Sequence, residues 1–364
     1  MYVAVVGKGL VGAEFVDQLL SLPVPSNPFN IFSISSSKKT WIRPQGLVHT
    51  EWKKAFESSA SDASDTVTLL KSTLGTEMET LVKAGHKVVL VDNTSSDTIA
   101  QLYPRFLSAG VNVITPNKKA FSSDLTLYEE ILTAGMSSGA KFYNESTVGA
   151  GLPVISTLKD LVTTGDNVSK IEGVFSGTMS YIFNNFSTSS RNGPTFSSVV
   201  TKARELGYTE PHPADDLNGA DVARKLTILS RFIPELLPLL PQGYISVDTK
   251  SLVPPALKNI ATGDEFIQAL PTFDDAMERL RTEALQEGKV LRYVGVIDVA
   301  TQTIKASLEK YDVNHAFATS LGGSDNIIMF HTNRYGERPL IIQGAGAGAA
   351  VTAMGVLSDL LRFT

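Results

Sequence analysis

Apolar residues change their spacing several times along this chain, and the changes mark its elements. Residues 2–6 (YVAVV) form a β-rich run. Apolar positions then recur at Val11, Phe15, Leu19 and Leu22, which is helical spacing. Runs at 29–34, 87–91, 111–115 and 141–143 read as further strands. The run at 87–91 is continuously apolar after its first residue, as a strand buried on both faces should be. Residues 58–66 (SSASDASDT) read as a loop, Pro104 should start, kink or break a helix, and a helix is expected around 125–134. This strand–helix alternation predicts a parallel sheet with helices on both faces.

After about residue 150 the texture changes. Helices are expected over 152–164, 197–206 and 216–232, then an irregular connection over 233–256, which holds five prolines. Alternating runs at 290–299, 303–310, 326–331 and 340–342 resemble antiparallel strands with one covered face. A Gly/Ala turn and a final helix are expected over 344–362. The predicted fold class is α/β: a Rossmann-type parallel-sheet domain over 1–150 and an α+β domain over 151–340. A closing segment takes up 341–364.

Composition narrows the chemistry. The 364 residues are 43% hydrophobic and 19% charged, ordinary for a globular chain, with a formal net charge of −5. That charge argues against nucleic acid or anionic lipid as partner. No apolar run reaches the ~18 residues of a membrane span, and MYVAVVGKG does not read as a signal peptide. A cytoplasmic location is the expectation. With no cysteine, disulfide scaffolds, thiolate metal sites and cysteine nucleophiles are excluded. The five histidines are scattered without metal-ligand spacing.

Five segments could carry chemistry. Gly7-Lys8-Gly9-Leu10-Val11-Gly12 is a G-x-G-x-x-G loop between a strand and a helix, the context in which it cradles a pyrophosphate. The second strand ends in Ser35, Ser36 and Ser37, with Lys38, Lys39 and Arg43 nearby and no carboxylate. Such a turn would accept a 2′-phosphate, so NADP(H) is expected to be used, although a plain solvated loop fits the same residues. Thr115-Pro116-Asn117-Lys118-Lys119 ends another strand, where Lys118 could hold a negative group or sit in solvent. Glu145 with the small-residue stretch to Pro153 could hold a cation or act as an interdomain hinge, and the residues alone favour the hinge. Last, Glu210, Asp215, Asp216 and Asp221 gather around Arg224 and Lys225, with Asp221 and Lys225 one helical turn apart. A surface ion pair is the bland reading. The chemical one is an anionic cradle for an ammonium group beside a lysine proton donor.

Taken together, VGKGLVG, DNTSS, ITPNKKAFSSDL, ESTVGAGLPVI, EGVFSGTMSYIFN, GYTEPHPADDLNGADVARKLTI and QGAGAGAAVTA resemble monofunctional, fungal-type homoserine dehydrogenase. The resemblance implies reversible reduction of L-aspartate 4-semialdehyde to L-homoserine with NADP(H) and/or NAD(H), in threonine, methionine and isoleucine synthesis. It also implies a homodimer built through the second domain, and a tail that returns to the nucleotide domain. By this resemblance Lys225 is the proton donor and Lys118 lies near both nicotinamide and substrate. Glu210, Asp216, Asp221, Gly177, Thr178 and Tyr208 bind substrate. The glycine loop, Ser36, Lys38, Asn93, Thr94, Ser95 and Gly348 meet the cofactor. Glu145 and the carbonyls of Val148, Ala150 and Leu152 form a monovalent-cation site, usually assigned as sodium, which displaces the hinge reading. Neither an aspartate kinase before the first strand nor a regulatory domain after the last helix is expected. Another Rossmann reductase, or a non-catalytic nucleotide sensor, would share the fold. The set Glu210, Asp221 and Lys225 argues against the sensor.

Overall fold

The computed structural model describes residues 1–23, 28–43, 52–59, 65–190 and 192–364. They divide into two units, Met1–Gly151 with Gly348–Thr364, and Leu152–Ala347.

In the first unit, strands β1 (Tyr2–Val6), β2 (Asn30–Ser36), β3 (Lys39–Ile42), β4 (Val88–Asp92), β5 (Asn112–Ile114) and β6 (Phe142–Tyr143) form one sheet. Their order is β3-β2-β1-β4-β5-β6. All neighbours are parallel except the β2–β3 pair, in which β3 turns back antiparallel along β2. This hairpin is a difference from the sequence reading, which ended the second strand in a loop at Ser35–Lys39. The switch point of the sheet lies between β1 and β4, where ligands of such folds bind beyond the strand carboxyl ends. Val3 and Val5 on β1, Phe15 and Leu19 on the helix Leu10–Leu20, and Ala353, Val356 and Leu360 on the final helix Ala349–Leu361 share one core. Pro104 sits in the first turn of the helix Tyr103–Ser108, where its missing N–H costs nothing. The loop expected over 58–66 falls largely outside the described residues, between the helices Trp52–Ser58 and Thr66–Lys71.

In the second unit, β7 (Val168–Val174), β8 (Asp248–Thr249), β9 (Lys289–Asp298), β10 (Thr303–Asp312), β11 (Asp325–Thr332) and β12 (Leu340–Ala345) form a sheet ordered β12-β11-β7-β9-β10-β8. It is antiparallel except at β8–β10. β7 was missed in the sequence because Lys170 and Glu172 interrupt its apolar pattern. They pair with each other at 2.7 Å, and Glu172 also meets His331 at 2.9 Å. The helices Gly177–Phe186, Gly263–Ala269 and Asp274–Gln286 were missed as well.

The helix expected over 216–232 is two helices, Ala214–Leu217 and Ala220–Ser230. They break at Gly219, whose φ is 79° and whose missing Cβ would lie 2.0 Å from Tyr293 Oη. A tyrosine 74 residues downstream therefore requires glycine at the break. The helix Ala220–Ser230 packs on β9 at Gly295, where a Cβ would come within 2.7 Å of Leu226 and 2.9 Å of the Phe175 ring. That close approach brings Lys225 beside Phe175.

Candidate active site

The glycine loop in the first unit is shaped by steric limits. Gly7 has φ 88°, and a Cβ there would meet the Asn93 carbonyl at 2.9 Å. A Cβ on Gly12 would lie 2.1 Å from the Gly7 carbonyl oxygen. Gly9 has no heavy atom within 4 Å of its missing Cβ, so the loop is open on that side. The N–H groups of Gly7 and Lys8 donate to Ser35 O at 2.9 and 2.8 Å, tying the loop to β2. Gly9 caps the helix Leu10–Leu20 without a side-chain acceptor, which leaves the first-turn donors of Leu10, Val11 and Gly12 available to an anion.

At the end of β2, the Ser36 hydroxyl lies 3.3 Å from Lys39 O and 3.4 Å from Lys38 N. Lys38 is exposed, whereas Lys39 turns away to donate to Glu57 O at 3.0 Å. Lys8 lies over the Phe56 ring at 4.7 Å and 3.9 Å from Glu57. Arg43 is exposed, and its N–H donates to Phe32 O.

The loops after β4 and β5 are joined by a residue the sequence reading missed. Asp92 is buried, and its carboxylate accepts from Thr94 N at 2.8 Å, Tyr103 Oη at 2.5 Å and Asn117 Nδ2 at 3.2 Å. Burial pushes its carboxyl above the usual range, against those hydrogen bonds. The Asn117 amide also donates to Ser96 O and accepts from Lys119 N, so one network sets the 93–96 loop and the turn carrying Lys118. A polar residue ending an all-apolar strand was the available signal. Both side-chain polar atoms of Asn93 are buried without a hydrogen-bond partner among the described residues, which fits an amide that meets a ligand. Ser95 is exposed. Lys119 meets Asp97 at 3.1 Å, and Lys118 is half-buried, its carbonyl accepting from the Ser122 hydroxyl at 2.8 Å.

Glu145 is buried, its carboxylate 3.3 Å from Arg362 Nη2, and its N–H donates to Asp359 Oδ2 at 2.9 Å. Both partners lie in the C-terminal segment of the same unit, as does Gly348, which starts the last helix at φ 112°. Val148 and Ala150 are also buried, with Gly149 and Ala150 at φ 76° and 55°. Leu152 opens the second unit.

In the second unit, Lys225 is 6% exposed. Its Nζ lies 2.7 Å from Asp221 Oδ2 and donates to Phe175 O at 2.7 Å. Asp216, folded back by the break at Gly219, accepts from Glu210 N at 2.8 Å and lies 2.9 Å from the Thr178 hydroxyl. That hydroxyl is also 2.6 Å from Tyr208 O. Burial, together with nearby Glu210 and Asp221, raises the Asp216 pKa to about 6, against the hydrogen bonds from Glu210 N and Thr178. Glu210 is exposed, and the Tyr208 ring lies tilted against that of Tyr181 with centroids 4.8 Å apart. Gly177 begins a ten-residue helix capped by Ser176 Oγ, which accepts from Met179 N at 3.2 Å. Asp216, Thr178, Tyr208 and Glu210 thus form one cluster, and Asp221 with Lys225 another on the next helix.

A homoserine dehydrogenase family profile matches residues 153–361, and a profile of the homoserine dehydrogenase NAD-binding domain matches residues 7–145. The chain belongs to the homoserine dehydrogenase family. As a homoserine dehydrogenase it is an oxidoreductase, with an NAD(P)-binding first unit. It is 47% identical to the homoserine dehydrogenase of Paracoccidioides brasiliensis, over 100% of this chain and 97% of that one. It is 46% identical to that of Schizosaccharomyces pombe, over 99% and 94%. A Candida auris crystal structure described as of unknown function superposes with TM-score 0.89 at 43% identity, covering 99% and 97%. A hyperthermophilic archaeal homoserine dehydrogenase in complex with NADPH shares the fold, with TM-score 0.70 at 20% identity and coverage of 99% and 96%.

Proposed function

We propose that this enzyme catalyses the reversible NAD(P)H-dependent reduction of L-aspartate 4-semialdehyde to L-homoserine, supplying threonine, methionine and isoleucine synthesis. The observation that carries the reading is the buried Lys225 ammonium, held between Asp221 and the Phe175 carbonyl in an acidic neighbourhood. When bound, NAD(P)H supplies the hydride that reduces the aldehyde carbon. Lys225 gives a proton to the aldehyde oxygen as negative charge grows on it, and Lys118 offsets that charge. Glu210, Asp216 and Asp221 hold the substrate ammonium. The hydroxyl of Thr178 and the ring of Tyr208 orient the carbon chain, while the first-turn N–H groups of Gly177 and Thr178 suit the α-carboxylate.

On the nucleotide side, first-turn donors of the helix Leu10–Leu20 would hold the pyrophosphate, and the open side at Gly9 leaves room for it. The Asn93 amide, Thr94, Ser95 and Gly348 would meet the nucleotide, and Lys8 would add positive charge. The buried Glu145 carboxylate and the carbonyls of Val148 and Ala150 are hard oxygen donors, a set that suits a monovalent cation such as sodium. No helix among the described residues is long and apolar enough to cross a membrane. Action in the cytoplasm and assembly as a homodimer through the second unit complete the reading. Purified enzyme should consume NADPH only when aspartate semialdehyde is added, and should reduce NADP⁺ with homoserine. Absence of both activities would refute the reading.

Two predictions follow from particular side chains. Ser36 and Lys38 favour a 2′-phosphate, so NADP(H) should be used at least as well as NAD(H). Ser36→Asp should shift the kcat/KM ratio toward NAD(H) by about tenfold, equivalent to about 1.4 kcal/mol. A tenfold wild-type preference for NAD(H), or no shift in the variant, would remove Ser36 from the cofactor site.

Asp216 must be ionised to attract an ammonium. Homoserine KM should therefore rise as pH falls through about 6, and Asp216→Asn should flatten that dependence. The stability effect has the opposite sign. A carboxyl with a raised pKa stabilises the fold below its unfolded value and loses that contribution as pH rises through about 6. Asp216→Asn should consequently raise the Tm of ligand-free enzyme at neutral pH while weakening substrate binding. A lowered Tm with unchanged homoserine KM would contradict both parts.

A further inference from the structure

One carbonyl oxygen, that of Phe175, accepts from two side chains far apart in sequence. Lys225 Nζ donates at 2.7 Å and Asn326 Nδ2 at 3.0 Å. A carbonyl has two lone pairs and can accept both. Asn326 lies on β11 and is fully buried. The antiparallel register pairs Ile327 with Val174, so Asn326 and Phe175 are the next positions along their chain segments. On its other side, a Cβ at Gly346 would come within 2.1 Å of Asn326 Cγ and 2.4 Å of its Oδ1. Only glycine lets the turn after β12 close over that amide.

The other half of the amide is unused. Asn326 Oδ1 is buried without a hydrogen-bond partner among the described residues. An unsatisfied buried acceptor lowers stability, so an apolar side chain of the same size would serve a purely structural role better. What the amide supplies is its N–H to the carbonyl that holds Lys225. A lysine ammonium on a four-carbon stem has many rotamers, and its direction depends on the acceptors that fix it.

We propose that Asn326 is a positioning residue for Lys225: its amide N–H holds the Phe175 carbonyl in the orientation that, with Asp221, aims the lysine ammonium. This rests on the reading of Lys225 as the proton donor. The two nitrogens share one acceptor and so lie within about 6 Å of each other, the range over which a charge moves a neighbour's titration.

The test uses full-length enzyme carrying Asn326→Leu, Asn326→Asp or Lys225→Ala. Each variant is measured for Tm, NADPH affinity, homoserine KM and the pH profile of kcat for homoserine oxidation. In that direction the lysine must accept a proton, so it is active when neutral. Asn326→Leu should keep or raise Tm, leave NADPH affinity and homoserine KM within about threefold, and lower kcat about tenfold. Asn326→Asp places a carboxylate near the ammonium and should move the acid limb of kcat upward by about one pH unit. A role confined to packing would leave the plateau kcat of folded Asn326→Leu at the wild-type value. If Asn326→Leu does not fold, the plateau kcat of Asn326→Asp above its acid limb decides, since a carboxylate has no N–H for the Phe175 carbonyl and should lower that plateau about tenfold. Wild-type plateau kcat in the folded Asn326 variants, with Lys225→Ala inactive, overturns the positioning role alone. An active Lys225→Ala overturns the proton-donor reading itself.

Discussion

Lys225→Ala should lower kcat at least about a hundredfold in both directions, while NADPH affinity stays within a few-fold of wild type. A positioned general acid contributes about 10²–10⁴ in rate, and Lys225 has two acceptors that position it, Asp221 Oδ2 and Phe175 O, each at 2.7 Å. Its burial makes a solvated helix-face pair a poor description. The glycine loop belongs to the other unit, so nucleotide binding should survive. The alanine variant leaves Asp221 without this ion pair, so a Tm measurement must accompany the kinetics. Folded Lys225→Ala that keeps more than about a tenth of wild-type kcat would show that the proton comes from elsewhere.

The second large effect is expected in the glycine loop, where two substitutions of the same size should differ in kind. Gly12→Ala would place a methyl carbon 2.1 Å from the Gly7 carbonyl oxygen, and Gly7 N is itself tied to Ser35 O. The helix must move off the strand, at an overpacking cost of about 1–3 kcal/mol. Both Tm and NADPH affinity should fall, the affinity by about a hundredfold. Gly9→Ala meets nothing within 4 Å in the protein. Its Tm should be unchanged, yet NADPH should bind at least about tenfold more weakly, because the methyl group occupies the path of the pyrophosphate. Calorimetry and fluorescence titration of the two variants check this. Normal NADPH affinity in Gly9→Ala would mean that the nucleotide does not cross this loop.

Features governed by neighbours in the chain were legible in the sequence. Gly7 and Gly12 are required by contacts within one strand–turn–helix unit and with the adjacent loop. The i, i+4 spacing of Asp221 and Lys225 follows from helix geometry alone. The α/β alternation of the first unit was legible for the same reason, since each strand and helix carries its own period.

What escaped depended on distant partners. The glycine at the break, Gly219, is required by Tyr293, and the break sets Asp216 and Asp221 on separate helices. β7 was hidden because Lys170 and Glu172 find partners in each other and in His331 on β11. Asp92 joins loops after two different strands, and Asn326 reaches back 151 residues to Phe175. No period in the sequence encodes such links. Buried polar residues next to segments that carry chemistry are the trace they leave.

The most direct test of the proposed reaction follows the hydride. NADPH carrying deuterium at the transferable C4 position is incubated with enzyme and aspartate 4-semialdehyde, and the amino-acid product is examined by mass spectrometry and proton NMR. The expected product is homoserine with one deuterium, on the carbon that bears the new hydroxyl. Homoserine without deuterium at that carbon, or no homoserine while NADPH is consumed, would contradict direct hydride transfer to the aldehyde and with it the proposed function.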